Sequence, residues 1–274
     1  MRSQRLTFTI GVTCISRAFI LRDRVLGRIA RVREADRAGH RASAYSIRSG
    51  NNLLDAVFVR PESVPPRAVL LICHGIGETV RHWAPVQYLL ASQGVASLVF
   101  DYSGYGKSTG AVDWAQCERD AVAAFAFLKM LIPDRAVSIL GFSMGSGIVT
   151  AILERIEPDR LVLCAAFTSF RDAACSLGLP RRASSALPAI WHGEEPLRQC
   201  PLPVLIVHGE RDRLFPVRMA SRLAAWCGPN AELVIVPNQA HNEPFYRPRL
   251  AYWRHIVSRL VPAESPRAAS LQLD

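Results

Sequence analysis

Six short runs in this chain are almost wholly apolar, broken only by Ser97 and Ser138: Ala68–Cys73, Val95–Phe100, Val137–Leu140, Leu161–Ala166, Val204–Val207 and Leu233–Val236. A strand with one wet face alternates apolar and polar residues, whereas a strand covered on both faces reads as a continuous hydrophobic run. Between the runs lie segments with helical spacing, at His82–Gln93, Trp114–Leu131, Ser146–Leu153 and Val217–Trp226, and a closing one at Pro248–Leu260. Buried strands alternating with helices predict an α/β fold, a mostly parallel sheet with helices on both faces. Ahead of it, Ala44–Ile47 and Leu54–Val59 flank the turn cluster Ser49-Gly50-Asn51-Asn52 and predict a β-hairpin. Residues 168–201 break the rhythm with Pro180, Pro188 and Pro196, and are expected to form a short lid insertion. No linker or repeat divides the region. A single domain is expected over 43–262, with an extension at 1–42 and a disordered polar tail at 263–274.

In a parallel sheet, ligands bind beyond the carboxyl ends of the strands. The loops with unusual residues all follow strands: His74-Gly75-Ile76-Gly77, Asp101 to Gly110, Gly141 to Gly145, His208 to Asp212, and Pro237 to His241. They should open on one edge of the sheet. The middle one, Gly141-Phe142-Ser143-Met144-Gly145, joins an apolar strand to an apolar helix. A sharp strand-to-helix turn pushes its central side chain into the open, and glycines at either side make room for the crossing. Ser143 would then stand at a helix N-terminus, where free N–H groups favour a developing negative charge.

A serine hydroxyl is a poor nucleophile at neutral pH and needs a base, which in turn needs an orienting acid. His241 follows the last strand and Asp212 the strand before it. Their order, Ser143, Asp212, His241, is that of nucleophile, acid and base in α/β-hydrolases. His208 and His255 are rival bases, and Glu210 and Asp172 rival acids. His74 reads as a structural residue shaping its loop. Tyr105 and Lys107 suit either pocket lining or a solvated turn. Trp83, Trp191 and Phe245 suit either acyl-pocket walls or packing.

Four motifs now agree: His74-Gly75-Ile76-Gly77, Gly141-Phe142-Ser143-Met144-Gly145, Gly209-Glu210-Arg211-Asp212, and His241 after the final strand. From about Ser43 to Leu260 the chain resembles an α/β-hydrolase fold serine hydrolase. The His74–Glu78 run with the Ser143-Met144-Gly145 elbow is similar to the monoacylglycerol lipase and serine aminopeptidase group. The loop from Asp101 to Gly110 also resembles that of membrane-associated depalmitoylating hydrolases. Nothing in 168–201 matches. The resemblance implies that Ser143 attacks an acyl carbonyl, that His241 takes and returns its proton, and that Asp212 holds the imidazole. It also implies an oxyanion hole formed by the N–H groups of Ile76 and Met144, supported by His74, Gly75, Gly77, Gly141 and Gly145. The expected substrate is a small-molecule carboxylic ester or thioester. Amide cleavage, acyl transfer, and a non-catalytic binding protein on the same fold are the alternatives.

The seven cysteines are scattered, with no C-x-x-C pair, and Cys73 and Cys164 lie inside apolar runs, which favours a reducing compartment over a disulfide framework. No His/Cys spacing suggests a metal, and no cofactor is expected. Residues 1–50 hold eleven arginines against three acids, so +8 of the formal +10 lies there and the remainder carries +2. A nearly neutral body behind a basic leader is not the pattern of a nucleic-acid-binding domain. Leu6–Ser16 lacks the cleavage pattern of a signal peptide, so a cytoplasmic protein is expected. Ala18, Leu21, Val25, Ile29 and Val32 fall at helical spacing among arginines. They suit peripheral contact of residues 1–42 with an anionic membrane, a helix packed on the domain, or an extension. No residue pattern bears on oligomeric state.

Overall fold

The computed structural model describes residues 39–261. The basic amphipathic segment and the polar tail lie outside the described residues. The sheet has eight strands in the order β1-β2-β4-β3-β5-β6-β7-β8. They are β1 (His40–Ser49), β2 (Asn52–Pro61), β3 (Ala68–Cys73), β4 (Val95–Phe100), β5 (Val137–Phe142), β6 (Leu161–Cys164), β7 (Val204–Gly209) and β8 (Ala231–Val236). β1 and β2 form an antiparallel hairpin, β2 joins β4 antiparallel, and β4-β3-β5-β6-β7-β8 are mutually parallel.

Side chains of a strand alternate between faces, and each face here has its own core. Val69, Leu71 and Cys73 of β3 pack with α2 (Trp114–Leu131), α3 (Met144–Ala151) and α7 (Val217–Cys227). Leu70 and Ile72 pack on the other face with α1 (Val80–Ser92) and α9 (Leu250–Leu260). That two-sided covering is why the central strands read as almost wholly apolar runs. At full burial each such side chain contributes about 1.5–3 kcal/mol. β8, at the edge, is only half-buried.

The hairpin is longer than its apolar pattern suggests. It starts at His40 instead of Ala44 and is zipped from His40↔Pro61 to Ser49↔Asn52. Its outer residues are held by backbone pairing, which leaves no hydrophobic signal. α2 runs over the expected residues because its limits are local. Asp113 caps its first turn by accepting from Gln116 N at 2.8 Å, and Pro133 follows its end. Segment 168–201 contains three short helices, α4 (Phe170–Ser176), α5 (Arg181–Ser184) and α6 (Glu194–Arg198). A one-turn helix, α8 (Glu243–Tyr246), lies after β8 where the sequence pattern shows none. Among the described residues no helix is long and apolar enough to cross a membrane.

Candidate active site

The turn after β5 carries a backbone conformation that side chains rarely adopt. Ser143 has φ 52° and ψ −117°, a strained geometry of order 1–3 kcal/mol that persists only where surroundings enforce it. The enforcement is visible. Ser143 N donates to Cys164 O at 3.0 Å, and its carbonyl accepts from Ser146 N at 2.9 Å and Ser146 Oγ at 2.6 Å. The glycines are required by contact. A Cβ at Gly145 would stand 1.9 Å from Cys73 O, and one at Gly141 would stand 2.5 Å from Gly145 O. The register pairs Cys73 with Gly141, so the loop after β3 passes directly beside the serine. A Cβ on Gly75 would lie 3.2 Å from Ser143 Cβ.

Beyond β7 and β8 the two remaining partners arrive together. His241 Nε2 is 3.0 Å from Ser143 Oγ, and His241 Nδ1 is 2.7 Å from Asp212 Oδ2. All three residues are buried, with 6–8% residual exposure. Asp212 Oδ1 accepts from Leu214 N and Phe215 N, each at 2.9 Å, which fixes the carboxylate with Oδ2 turned to the His241 imidazole. The rings of Phe142 and Phe215 flank His241 at 5.5 and 5.2 Å. The acid and base loops are laced together. Arg211 N donates to Gln239 O at 2.9 Å, and Asn238 N donates to Glu210 Oε2 at 2.9 Å. The carboxylate of Glu243 receives Ala240 N at 2.9 Å and so fixes the turn just before His241.

The rival residues have other partners. Glu210 belongs to the loop lacing just described. Asp172 accepts from Thr168 Oγ1 at 2.7 Å within segment 168–201. His208 Nε2 donates to Phe215 O at 2.8 Å and also lies 3.5 Å from Asp212 Oδ2, and burial holds its imidazole below the ordinary value. His255 is half-buried on α9. His74 Nδ1 donates to Gly75 O at 2.8 Å, and burial lowers this imidazole to about 4. A neutral ring that braces its own loop fits the structural role. Tyr105 is buried with its hydroxyl 3.7 Å from Met144 Sδ, while Lys107 is exposed. Trp83 stacks on Phe245 at 5.6 Å inside the core, and Trp191, within segment 168–201, packs on Phe167, Phe170 and Trp114.

Two buried acids beside the site have roles that the sequence does not disclose. Glu78 accepts from Gly75 N and Trp83 Nε1, each at 2.8 Å. Asp101 accepts from Val80 N at 2.7 Å, the first N–H of α1, and its Oδ1 lies 3.7 Å from His74 Nε2. Burial raises the Asp101 carboxyl to about 7. The one hint in the sequence is that both follow strands at the same sheet edge. Met144 opens α3, so its N–H has no acceptor within the helix. Ile76 lies half-buried in the loop after β3. Chemically, the arrangement is a hydroxyl, an imidazole and a carboxylate in series beside a helix N-terminus. Among the described residues no group of His, Cys, Asp and Glu converges as a metal site would.

Comparison with known proteins agrees with the fold. Residues 64–195 match the model of the family described as serine aminopeptidase, S33. An uncharacterised protein of Mycobacterium tuberculosis is 28% identical over 181 residues, covering 64% of this chain and 63% of the relative. A lysophosphatidylserine lipase, ABHD12, of Macaca fascicularis is 27% identical over 221 residues, covering 71% of this chain and 54% of the relative. The chain thus spans between half and two thirds of the length of these relatives. Among solved structures, Est1E of Butyrivibrio proteoclasticus, bound to ferulic acid, superposes with TM-score 0.64 at 24% identity, over 79% of this chain and 97% of that one. The Pyrococcus furiosus esterase Pf2001 gives TM-score 0.63 at 20% identity, over 81% of this chain and 94% of that one. With its eight-stranded sheet and these structural neighbours, the chain has the α/β-hydrolase fold, and it is similar to serine hydrolases of that fold.

Proposed function

We propose that this chain hydrolyses a carboxylic ester, or a thioester, through an acyl-enzyme on Ser143. The observation that carries the reading is the hydrogen-bonded series Ser143 Oγ, His241 Nε2, His241 Nδ1, Asp212 Oδ2, at 3.0 and 2.7 Å. Oγ attacks the acyl carbonyl as Nε2 takes its proton. The carbonyl oxygen gains the charge and is held by the N–H groups of Met144 and Ile76. Collapse expels the alcohol or thiol, which receives the proton from Nε2. Water then repeats the sequence against the acyl-serine and frees the acid. Asp212, immobilised by two backbone N–H groups, keeps Nδ1 protonated so that Nε2 is the basic nitrogen. Each oxyanion donor of this kind contributes about 3–4 kcal/mol to the transition state.

Relatives named lipases and esterases support an ester over an amide. Those named lysophosphatidylserine lipases make a single-chain acyl lipid the first substrate to try. The arginines of residues 1–42 support peripheral contact with an anionic lipid surface. If phosphatidylserine vesicles bind the protein no better than phosphatidylcholine vesicles, that contact is removed from the account. The main test is a p-nitrophenyl ester series of increasing acyl length, run beside a p-nitroanilide and a lysophospholipid, with Ser143→Ala as control. Serine-dependent ester turnover is expected. Anilide cleavage without ester cleavage would replace the esterase reading by an amidase one.

A further inference from the structure

Glu78 is a buried carboxylate beside the site. Its Oε2 accepts two donors, Gly75 N at 2.8 Å and Trp83 Nε1 at 2.8 Å. The main chain closes the same turn from the other side, with Glu78 N donating to Gly75 O at 3.4 Å. A Cβ on Gly75 would meet Glu78 Oε1 at 2.6 Å and Ser143 Cβ at 3.2 Å. The carboxylate and the serine therefore flank the same α-carbon. Trp83, the second donor, stacks on Phe245 at 5.6 Å and meets Phe142 edge-on at 5.5 Å. Phe142 immediately precedes Ser143, and Phe245 lies on α8 just after His241. Glu78 thus ties the loop of Ile76 to the aromatic block on which both the nucleophile and the base loop rest.

A negative charge this near a developing oxyanion opposes it electrostatically, so its presence calls for a compensating geometrical role. A carboxylate oxygen accepts two N–H donors at once, and charge-assisted bonds are about twice as strong as neutral ones. We infer that Glu78 is a positioning residue of the oxyanion hole. It occupies the Gly75 N–H and fixes the turn, so that the Ile76 N–H is the donor presented above Ser143. This inference rests on the serine hydrolase reading and adds to it a determinant of transition-state binding.

The test compares an oxoester with its thionoester, whose larger, softer sulfur gains little from N–H donors set for an oxyanion. Glu78→Ala and Glu78→Gln are measured beside the wild type on p-nitrophenyl butyrate and p-nitrophenyl thionobutyrate, with thermal unfolding to establish folding. Glu78→Ala should lower oxoester kcat by about 10²-fold, in the range for loss of one oxyanion donor. KM should stay near the wild-type value, and the oxo-to-thiono rate ratio should fall by about tenfold or more. Glu78→Gln keeps an acceptor oxygen and should fall between. Equal losses on both substrates, or no loss, in a folded Glu78→Ala protein would overturn the inference. If Glu78→Ala does not fold, Glu78→Gln decides: a reduced ratio supports the role and an unchanged ratio overturns it. A wild-type protein that turns over neither ester and resists a fluorophosphonate would instead overturn the underlying reading, and this inference with it.

Discussion

Replacing Asp212 by Asn should abolish nearly all activity while leaving the fold intact. The structure says why the two effects separate. Asp212 Oδ1 is held by Leu214 N and Phe215 N, both at 2.9 Å. In the Asp212→Asn protein the amide oxygen is the atom that can accept those two bonds, so it takes the Oδ1 place. The NH₂ group is then left facing His241 Nδ1, where Oδ2 now sits at 2.7 Å. An NH₂ can only donate, so Nδ1 must lose its proton and Nε2 must carry it. Nε2 lies 3.0 Å from Ser143 Oγ and would then have no lone pair with which to accept the serine proton. A wrong tautomer of this kind in a serine triad lowers kcat by about 10⁴, which corresponds to about 5 kcal/mol in the barrier. The loop bonds survive the exchange, so stability should change by less than about 1 kcal/mol. Steady-state hydrolysis of p-nitrophenyl butyrate, with urea unfolding of both proteins, measures both quantities. An Asp212→Asn enzyme within tenfold of wild type would refute the reasoning, because the imidazole would not depend on this carboxylate for its tautomer.

Two further outcomes rest on neighbouring contacts. Gly145→Ala puts a methyl 1.9 Å from the Cys73 carbonyl oxygen, a backbone atom at the end of β3 that cannot rotate away. It should cost about 3 kcal/mol or more, at the upper end for overpacking, and an unchanged urea midpoint would contradict the close crossing. Asp101 is raised to about 7 by burial from an ordinary 3.8. A raised carboxyl contributes stability that is present below the unfolded value and is lost as pH rises through the folded one. The stability of wild type relative to Asp101→Asn should therefore grow as pH falls from about 7 to about 4, by up to a few kcal/mol at about 1.4 kcal/mol per pH unit. A constant difference in thermal midpoint across that range would argue that Asp101 is not desolvated.

The parts of this fold that were legible from sequence are those whose cause is local or periodic. β3 to β7 are mostly apolar because both faces are covered, and that burial is written along the chain in all but a few residues such as Ser97, Ser138 and His208. Asp113 and Pro133 delimit α2 within the chain itself. The series Ser143, Asp212, His241 could be picked out because a parallel sheet delivers strand ends to one edge, wherever they lie in sequence. What escaped depends on contacts between distant segments. The ends of the hairpin are set by backbone pairing up to His40↔Pro61, which leaves no pattern in side chains. The burial of Glu78 and Asp101 arises only when α1 packs its first turn over the strand ends, since an acid in a loop ordinarily reads as solvated. Helix α8 is a single turn, too short for periodicity. In segment 168–201, Trp191 is held by packing and by a bond from its Nε1 to Glu118 on α2 at 3.0 Å. Nothing in its neighbours along the chain announces that pairing.

The central claim is that Ser143 is a nucleophile activated by His241. Incubating the intact protein with a fluorophosphonate, then measuring intact mass and mapping the modified peptide, tests it without any assumption about substrate. The account predicts one phosphonyl adduct per chain, located on Ser143, absent in Ser143→Ala and strongly slowed in His241→Ala. A folded wild-type protein that stays unmodified, or one modified at another serine, would contradict it.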